Sequence, residues 1–247
     1  MFQFKQFRVN QDNCAMKIGT DGVLLGAWCP IDNSPNSILD IGTGTGIVAL
    51  MLAQRTAARH SIQIDALEID ENAYEQATEN FENSPWNHQL FCYHAGLDEF
   101  VEEPEEEYDL IVCNPPFYAE NYKTGNEQRD IARFQDAMPF EDLIEAADLL
   151  LSENGIFAVI IPYKEEERFI NLCANVELFP IKITRVRGTF KSEIIRSLLA
   201  FKRFDPSLNE QTEQLAVLTT NELIIEINRH EYTDEYINLT KDFYLKM

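Results

Sequence analysis

The first two thirds of the 247-residue chain alternate between short, nearly continuous apolar runs and segments whose apolar residues recur every three or four positions. The first pattern predicts buried strands, and the second predicts helices that cover them. The predicted strands are 37–41, 62–68, 90–94, 108–113 and 156–161, and the predicted helices are 45–54, 71–82 and 140–151. Apolar strands separated by helices are typical of a parallel sheet covered on both faces. The sequence therefore predicts a doubly wound α/β domain, whose ligands bind at the carboxyl ends of the strands.

After residue 164 the pattern changes, because two apolar runs follow each other with only a short link between them. These runs are 181–186 and 195–201, and their short connection favours an antiparallel pair of strands. The sequence contains no repeat, low-complexity segment or linker. We therefore expect a single domain over residues 1–247, decorated by an N-terminal segment of about 35 residues and a C-terminal segment from about residue 205 to 247.

The charge of the chain bears on its partners. There are 42 acidic and 20 basic side chains, a net charge of −22. Binding to phosphate groups draws on clustered Lys and Arg, so this total by itself argues against a nucleic-acid partner. The charge is uneven, however, because residues 182–203 contain seven basic side chains and one acidic one, a local charge of +6. Such an asymmetry predicts a basic face on an acidic body.

Neither a membrane span nor a metal site is predicted. Acidic or basic residues interrupt every apolar run before the roughly 18 residues that a span requires, and they also interrupt the first eight residues, unlike a signal peptide. The five cysteines and four histidines have none of the spacings typical of metal ligands. We therefore expect a reduced, cytoplasmic protein without a metal.

A glycine-rich turn, Gly42-Thr43-Gly44-Thr45-Gly46, follows the first predicted strand. Glycines allow a tight turn and a close approach of the backbone to a ligand, and the N–H groups at the start of the next helix can face that ligand. The spacing excludes two alternatives. A phosphate-binding P-loop requires a Lys-Ser/Thr pair that is absent, and a dinucleotide fingerprint requires glycine where this chain has Ile47.

Together with the preceding Asp40, the turn resembles the first motif, Asp-x-Gly-x-Gly-x-Gly, of the class I S-adenosylmethionine-dependent methyltransferases. The resemblance implies an α/β, Rossmann-like, doubly wound fold with a mostly parallel seven-stranded sheet and an antiparallel C-terminal strand pair. It also implies S-adenosylmethionine as the cofactor, with the glycine loop near its methionine half and Glu68 accepting hydrogen bonds from both ribose hydroxyls. A glycine turn of another α/β fold, beside an unrelated acid, is the alternative.

The segment Asn114-Pro115-Pro116-Phe117 follows the fourth predicted strand and resembles a motif of methyltransferases that act on planar nitrogens: adenine N6, guanine N2 or a protein glutamine. The lone pair of such a nitrogen is delocalised, so it attacks a sulfonium poorly until its N–H groups are held out of conjugation. The side-chain oxygen of Asn114 and the carbonyl of Pro115 can accept those N–H bonds, and Phe117 offers a face for stacking. Such orientation requires no strong general base. A loop that only ends the strand is the alternative.

Segments outside this common core resemble one particular family of methyltransferases. Residues 7–9, 15–28, 185–203 and 229–247 are similar to those of the bacterial tRNA (adenine-N6)-methyltransferases that modify adenosine 37 of a valine tRNA. That family implies methylation of adenine N6 in a tRNA anticodon loop, by a monomer. It also implies that Thr20 and Asp21 line the cofactor pocket from an N-terminal helix, although an N-cap on a core helix explains them equally well.

The resemblance thus assigns three sets of residues. The catalytic residues would be Asn114, Pro115, Pro116 and Phe117. The cofactor-binding residues would be Thr20, Asp21, Asp40, Gly42, Gly44, Gly46, Glu68, Ile69, Asp98 and Asn114. The RNA-binding residues would be Lys182, Arg185, Arg187, Lys191 and Arg196. Many relatives carry an Asp that contacts the cofactor adenine where this chain has Gly96, so either Asp98 takes that role or no residue does.

Other functions stay open at this point. A guanine-N2 rRNA methyltransferase also uses Asn-Pro-Pro-Phe, and protein-glutamine methyltransferases favour Tyr at position 117. A protein of a different class, an RNA chaperone that binds the cofactor without turnover, would also contain the same glycine turn.

Overall fold

The structure is a computed structural model, and it describes residues 1–59, 61–102, 106–116, 138–203 and 218–247. Its strands are β1 (Phe2–Gln3), β2 (Arg8–Val9), β3 (Ser37–Ile41), β4 (Gln63–Glu68), β5 (Leu90–His94), β6 (Tyr108–Cys113), β7 (Leu151–Pro162), β8 (Leu178–Thr189), β9 (Ile194–Arg203), β10 (Thr219–Asn228) and β11 (Glu231–Tyr232). Its helices are α1 (Thr20–Trp28), α2 (Ile47–Thr56), α3 (Glu71–Glu82), α4 (Leu97–Glu102), α5 (Phe140–Leu150), α6 (Glu166–Ala174) and α7 (Asp234–Thr240).

One large sheet organises the molecule, with the strand order β11-β10-β8-β9-β7-β6-β3-β4-β5. Neighbouring strands from β7 to β5 run parallel, as the apolar pattern predicts. Strand β9 runs antiparallel to both β7 and β8, which confirms the predicted antiparallel pair. The α/β, doubly wound architecture of the class I methyltransferase type is therefore confirmed.

The sheet differs from the prediction in its number of strands. It has nine strands within the described residues rather than seven, because β10 pairs in parallel with β8 and β11 then pairs with β10. Strand β10 was missed because only Leu223 is buried along it, so it lacks the apolar run of a central strand. The C-terminal segment from 219 therefore extends the sheet rather than lying on it as a decoration.

Two apolar cores cover the two faces of the sheet. Helices α1 and α2 contribute to the first core, and α5 and α6 contribute to the second. The N-terminal and C-terminal segments both join the first core: Phe4 is fully buried, and its ring lies 4.7 Å from that of Phe7 and 5.8 Å from that of Tyr244. No helix in the described part of the chain has both the length and the apolar character of a membrane span.

Candidate active site

Three strand ends bring the predicted motifs together. Strand β3 lies between β4 and β6, and Ile41 pairs with Leu67 on one side and with Cys113 on the other. The residue that follows each of these is Gly42, Glu68 or Asn114. The three motifs thus start side by side at the carboxyl edge of the sheet, where the fold class places its ligands.

The glycine loop has a backbone that other residues adopt only with strain. Gly42, Gly44 and Gly46 have φ values of 67°, 58° and 79°, in the left-handed region. The amides of Gly42 and Thr43 donate to the Leu67 carbonyl at 2.9 and 3.0 Å, which fixes the loop over β4. Apart from the adjoining residues of the loop, no atom of the described part of the chain lies within 4 Å of a Cβ built on Gly42 or Gly44, so a ligand can approach the backbone there. The left-handed turn at Gly46 also explains why α2 begins at Ile47, two residues later than predicted.

Glu68 lies directly beside this loop, as the resemblance implies. Its side chain is buried, its Oε2 accepts a hydrogen bond from the Gly44 amide at 2.8 Å, and its Oε1 accepts one from the Asp70 amide at 3.0 Å. A carboxylate has about four acceptor positions, so these two bonds leave lone pairs for further donors. The arrangement holds a negatively charged acceptor against the glycine turn.

Asp40, the acidic residue of the glycine motif, lies beneath the loop. Its carboxylate is buried beneath the loop, where Oδ2 accepts bonds from the Thr43 hydroxyl at 2.6 Å and from the Ala49 amide at 3.2 Å. These contacts hold the turn and the first residues of α2 rather than facing the open side of the loop. Burial raises the pKa of Asp40 from 3.8 to about 6, against the lowering effect of the two hydrogen bonds.

This raised pKa predicts a pH dependence of stability. The folded protein binds the Asp40 proton more tightly than the unfolded chain does, so the contribution of Asp40 to stability is greatest at low pH and decreases as the pH rises from about 4 to about 6. Between pH 5 and 7.5 we expect the free energy of unfolding of the wild type to fall by about 1 to 2 kcal/mol relative to that of Asp40→Asn. Urea unfolding of both proteins at the two pH values measures this difference. A difference that stays constant, or that grows with pH, would contradict the assignment.

Two predicted cofactor-binding residues, Ile69 and Asp98, both lie close to Gly96. Ile69 is 67% exposed, which is unusual for a large apolar residue next to a buried strand end. A Cβ on Gly96 would lie 2.5 Å from Oδ1 of Asp98 and 3.6 Å from Cδ1 of Ile69. The Asp98 carboxylate therefore occupies the space that a side chain at position 96 would fill. This placement supports Asp98 as the replacement for the missing acidic residue.

The Asn-Pro-Pro segment continues from β6. Asn114 and Pro116 are half-buried and Pro115 is buried, while Phe117 lies outside the described residues. Since β6 lies between β3 and β7, the segment has the glycine loop on one side and the end of β7 on the other. Asn114 is thus placed where a group bound over the glycine loop can be reached.

Helix α1 approaches this edge from the first core. Its N-cap is Gly19, without a side-chain capping bond, so neither Thr20 nor Asp21 is the N-cap that the alternative interpretation required. A Cβ on Gly22 would lie 3.1 Å from Cγ2 of Ile47, which places the start of α1 near the start of α2. Thr20 is exposed there, and Asp21 accepts a bond from Nε of Arg196 at 2.8 Å.

The predicted basic strip is largely paired with carboxylates. Arg185 donates to Glu166, Arg187 donates to Glu222 at 2.6 Å, and Arg196 donates to Asp21. Lys182 lies 4.5 Å from the centre of the Trp28 ring, and burial lowers its pKa. Lys191 is exposed. The positive field of this strip is therefore weaker than the count of +6 suggests, because acidic side chains from other elements neutralise much of it.

The described residues contain no group of three or more His, Cys, Asp or Glu side chains arranged to hold a metal ion. One functional candidate escaped the sequence analysis altogether. Glu166 is buried at the start of α6, close to the carboxyl edge, yet its sequence surroundings are those of an ordinary acidic helix N-terminus.

This chain matches a known protein family and several full-length relatives. The methyltransferase small domain model matches residues 28–172. Proteins named tRNA1(Val) (adenine(37)-N6)-methyltransferase from Flavobacterium psychrophilum and Flavobacterium johnsoniae are each 71% identical to this chain over the full length of both proteins. The protein of the same name from Christiangramia forsetii is 58% identical, over 100% of this chain and 98% of its own length.

Two solved structures with low sequence identity to this chain share its fold. A predicted O-methyltransferase from Agrobacterium tumefaciens superposes with a TM-score of 0.67 at 19% identity, over 90% of this chain and 96% of its own. A type I restriction-modification methyltransferase subunit from Streptococcus thermophilus superposes with a TM-score of 0.59 at 15% identity, over 92% of this chain and 52% of its own.

Proposed function

Since this chain belongs to the family of tRNA1(Val) (adenine(37)-N6)-methyltransferases, within the methyltransferase small domain family, we propose that it transfers a methyl group from S-adenosylmethionine to N6 of adenosine 37 in a valine tRNA. The observation that carries this proposal within the structure is the alignment of Gly42, Glu68 and Asn114 at one edge of the sheet. We place the enzyme in the cytoplasm as a monomer, in keeping with its substrate and composition.

The residues at this edge fit the cofactor. The open space over Gly42 and Gly44 admits its methionine half, and the spare lone pairs of Glu68 suit a ribose diol. Ile69 offers an apolar face for the adenine ring, and Asp98 offers an acceptor for its amino group. When bound, the cofactor supplies an electrophilic methyl group on a sulfonium.

The chemistry that the chain supplies is orientation. Asn114 and the Pro115 carbonyl accept the two N6–H bonds of the target adenine and turn the nitrogen lone pair out of conjugation. Both acceptors are fixed at the end of a buried strand, so they need little reorganisation in the transition state. A proton leaves N6 for water after the new N–C bond forms. Because adenosine 37 lies in a single-stranded loop, its extrusion into the site carries a modest cost.

Glu68 provides a test of the cofactor site. Removing its acceptors by Glu68→Ala is expected to weaken S-adenosylmethionine binding about ten- to 150-fold, which corresponds to roughly 1.5 to 3 kcal/mol for a charge-assisted hydrogen bond. Isothermal titration calorimetry measures this change, with Glu71→Ala as the matched control because Glu71 is exposed in the first turn of α3. Unchanged affinity in Glu68→Ala would exclude Glu68 from the site.

One experiment tests the whole proposal. The purified protein is supplied with labelled S-adenosylmethionine together with total tRNA, rRNA and a protein extract, and the methylated product is identified by mass. We expect N6-methyladenosine in tRNA. Label in guanine N2 or in a protein glutamine would overturn the adenine assignment, and cofactor binding without any transfer would indicate an RNA chaperone.

A further inference from the structure

Tyr163 directly follows β7, the neighbour of the strand that leads to Asn114. Strand β7 pairs in parallel with β6, Cys113 is opposite Val159 in the last pair, and β7 then continues to Pro162. Tyr163 is the following residue and begins a short 3-10 turn that leads into α6. Its side chain is 39% exposed. An aromatic residue thus lies at the carboxyl edge of the sheet, after the strand beside the one that the Asn-Pro-Pro segment follows.

Arg185 packs against the Tyr163 ring and also forms an ion pair with Glu166. The guanidinium carbon of Arg185 lies 5.6 Å from the centre of the Tyr163 ring. Arg185 in turn donates from Nε and Nη2 to the Glu166 carboxylate, at distances of 2.7 to 3.2 Å. Glu166 is only 7% exposed and also accepts the hydroxyl of Ser197 from β9. Three elements therefore fix the guanidinium beside the ring.

Stability alone is a poor explanation for this arrangement. A buried carboxylate loses hydration, and that loss offsets much of its attraction to the guanidinium. Arg185 and Tyr163 both keep about a third of their side-chain surface exposed, 35% and 39%. The network instead holds an aromatic ring and a guanidinium in fixed positions at the carboxyl edge of the sheet, where both are partly exposed to a ligand.

The chemistry of that surface suits an unpaired nucleobase. Aromatic rings and Arg guanidinium planes are the groups on which splayed RNA bases stack. We propose that Tyr163, positioned by Arg185 and Glu166, stacks on the base adjacent to the target adenosine and so holds the anticodon loop while the adenosine occupies the Asn114 site. The inference rests on the proposed function, and it assigns a second nucleotide site to the same edge of the sheet.

Variants of Tyr163 test the ring. Tyr163→Ala is expected to raise the KM for tRNA about ten-fold, whereas Tyr163→Phe keeps the ring and should stay within about two-fold of the wild type. Cofactor affinity should be unchanged in both variants. Phe179→Ala is the matched control, because Phe179 is 40% exposed near the start of β8, at the opposite edge of the sheet, and its KM should not change.

Modified substrates then show whether a flanking base is the partner. Full-length tRNA with an abasic residue at position 36 or 38 is compared with intact tRNA. We expect the wild type to lose about ten-fold in kcat/KM on one of the two abasic tRNAs, and Tyr163→Ala to lose nothing further on that substrate. Two results would overturn the proposal while leaving the methylation assignment intact. In the first, the kcat/KM of Tyr163→Ala falls below that of the wild type by the same factor on intact tRNA and on both abasic tRNAs. In the second, the kcat/KM of the wild type is the same on intact tRNA as on either abasic tRNA. Failure of the wild type to methylate intact tRNA would instead overturn the proposed function.

Discussion

Asn114→Ala is expected to reduce the rate of methyl transfer to tRNA by about 100-fold or more, while leaving the affinity for tRNA close to that of the wild type. The side-chain oxygen of Asn114 contributes mainly in the transition state, and most of the RNA contact lies away from it. Loss of one preorganised hydrogen-bonding group at a reacting centre has effects of this size. Single-turnover kinetics with saturating cofactor measure the chemical step directly.

Two further variants make this result specific. Asn114→Asp keeps an acceptor at the same place and should retain partial activity. Asn171→Ala alters an exposed Asn on α6 and should behave as the wild type. If Asn114→Ala transfers methyl at the wild-type rate, the Asn-Pro-Pro segment only ends a strand and the proposed mechanism is wrong.

Gly46→Ala is expected to destabilise the fold by about 2 to 5 kcal/mol. Gly46 has a φ of 79°, where a Cβ costs roughly 1 to 2 kcal/mol, and the added methyl would lie 2.5 Å from Cε1 of the buried Phe81. Overpacking of a dense core adds about 1 to 3 kcal/mol. The loop must shift to relieve this contact, so cofactor affinity should fall as well. Urea unfolding gives the first quantity and calorimetry the second.

Gly44 provides the matched control: its φ is 58°, but apart from its chain neighbours no described residue has an atom within 4 Å of a Cβ at this position. Gly44→Ala should therefore show backbone strain without the steric clash, about 1 to 2 kcal/mol. Equal destabilisation of the two variants would mean that the contact between the loop and Phe81 has no part in holding the turn.

The strands, helices and motifs that were predicted most accurately are those that depend on a continuous local pattern in the sequence. Strands β3, β5 and β6 and helix α3 begin and end where the sequence pattern indicated. For β3 and β6 the reason is burial, because a strand buried on both faces tolerates few polar residues. The glycine turn and the Asn-Pro-Pro segment could also be placed, because both directly follow such strands and parallel strands bring their carboxyl ends to one edge.

The features that were missed depend on contacts between distant parts of the chain. Strand β10 is an edge strand with few buried side chains, so its sequence has no strong period. The basic strip looked strongly positive because a count along the sequence cannot include the carboxylates of Asp21, Glu166 and Glu222, which the fold brings to it. The motif likewise could not show that the Asp40 carboxylate bonds to Thr43 and Ala49.

The N-terminal and C-terminal segments pack against each other, so the N-terminal segment cannot complete its native contacts until residues 243 and 244 have been synthesised. The amide of Lys5 donates to the Phe243 carbonyl at 2.8 Å, across almost the whole length of the sequence. During synthesis, Phe2 and Phe4 leave the ribosome long before Tyr244, whose ring packs against both of theirs. Contacts of such large sequence separation are slow to form, and apolar surface stays exposed until they do.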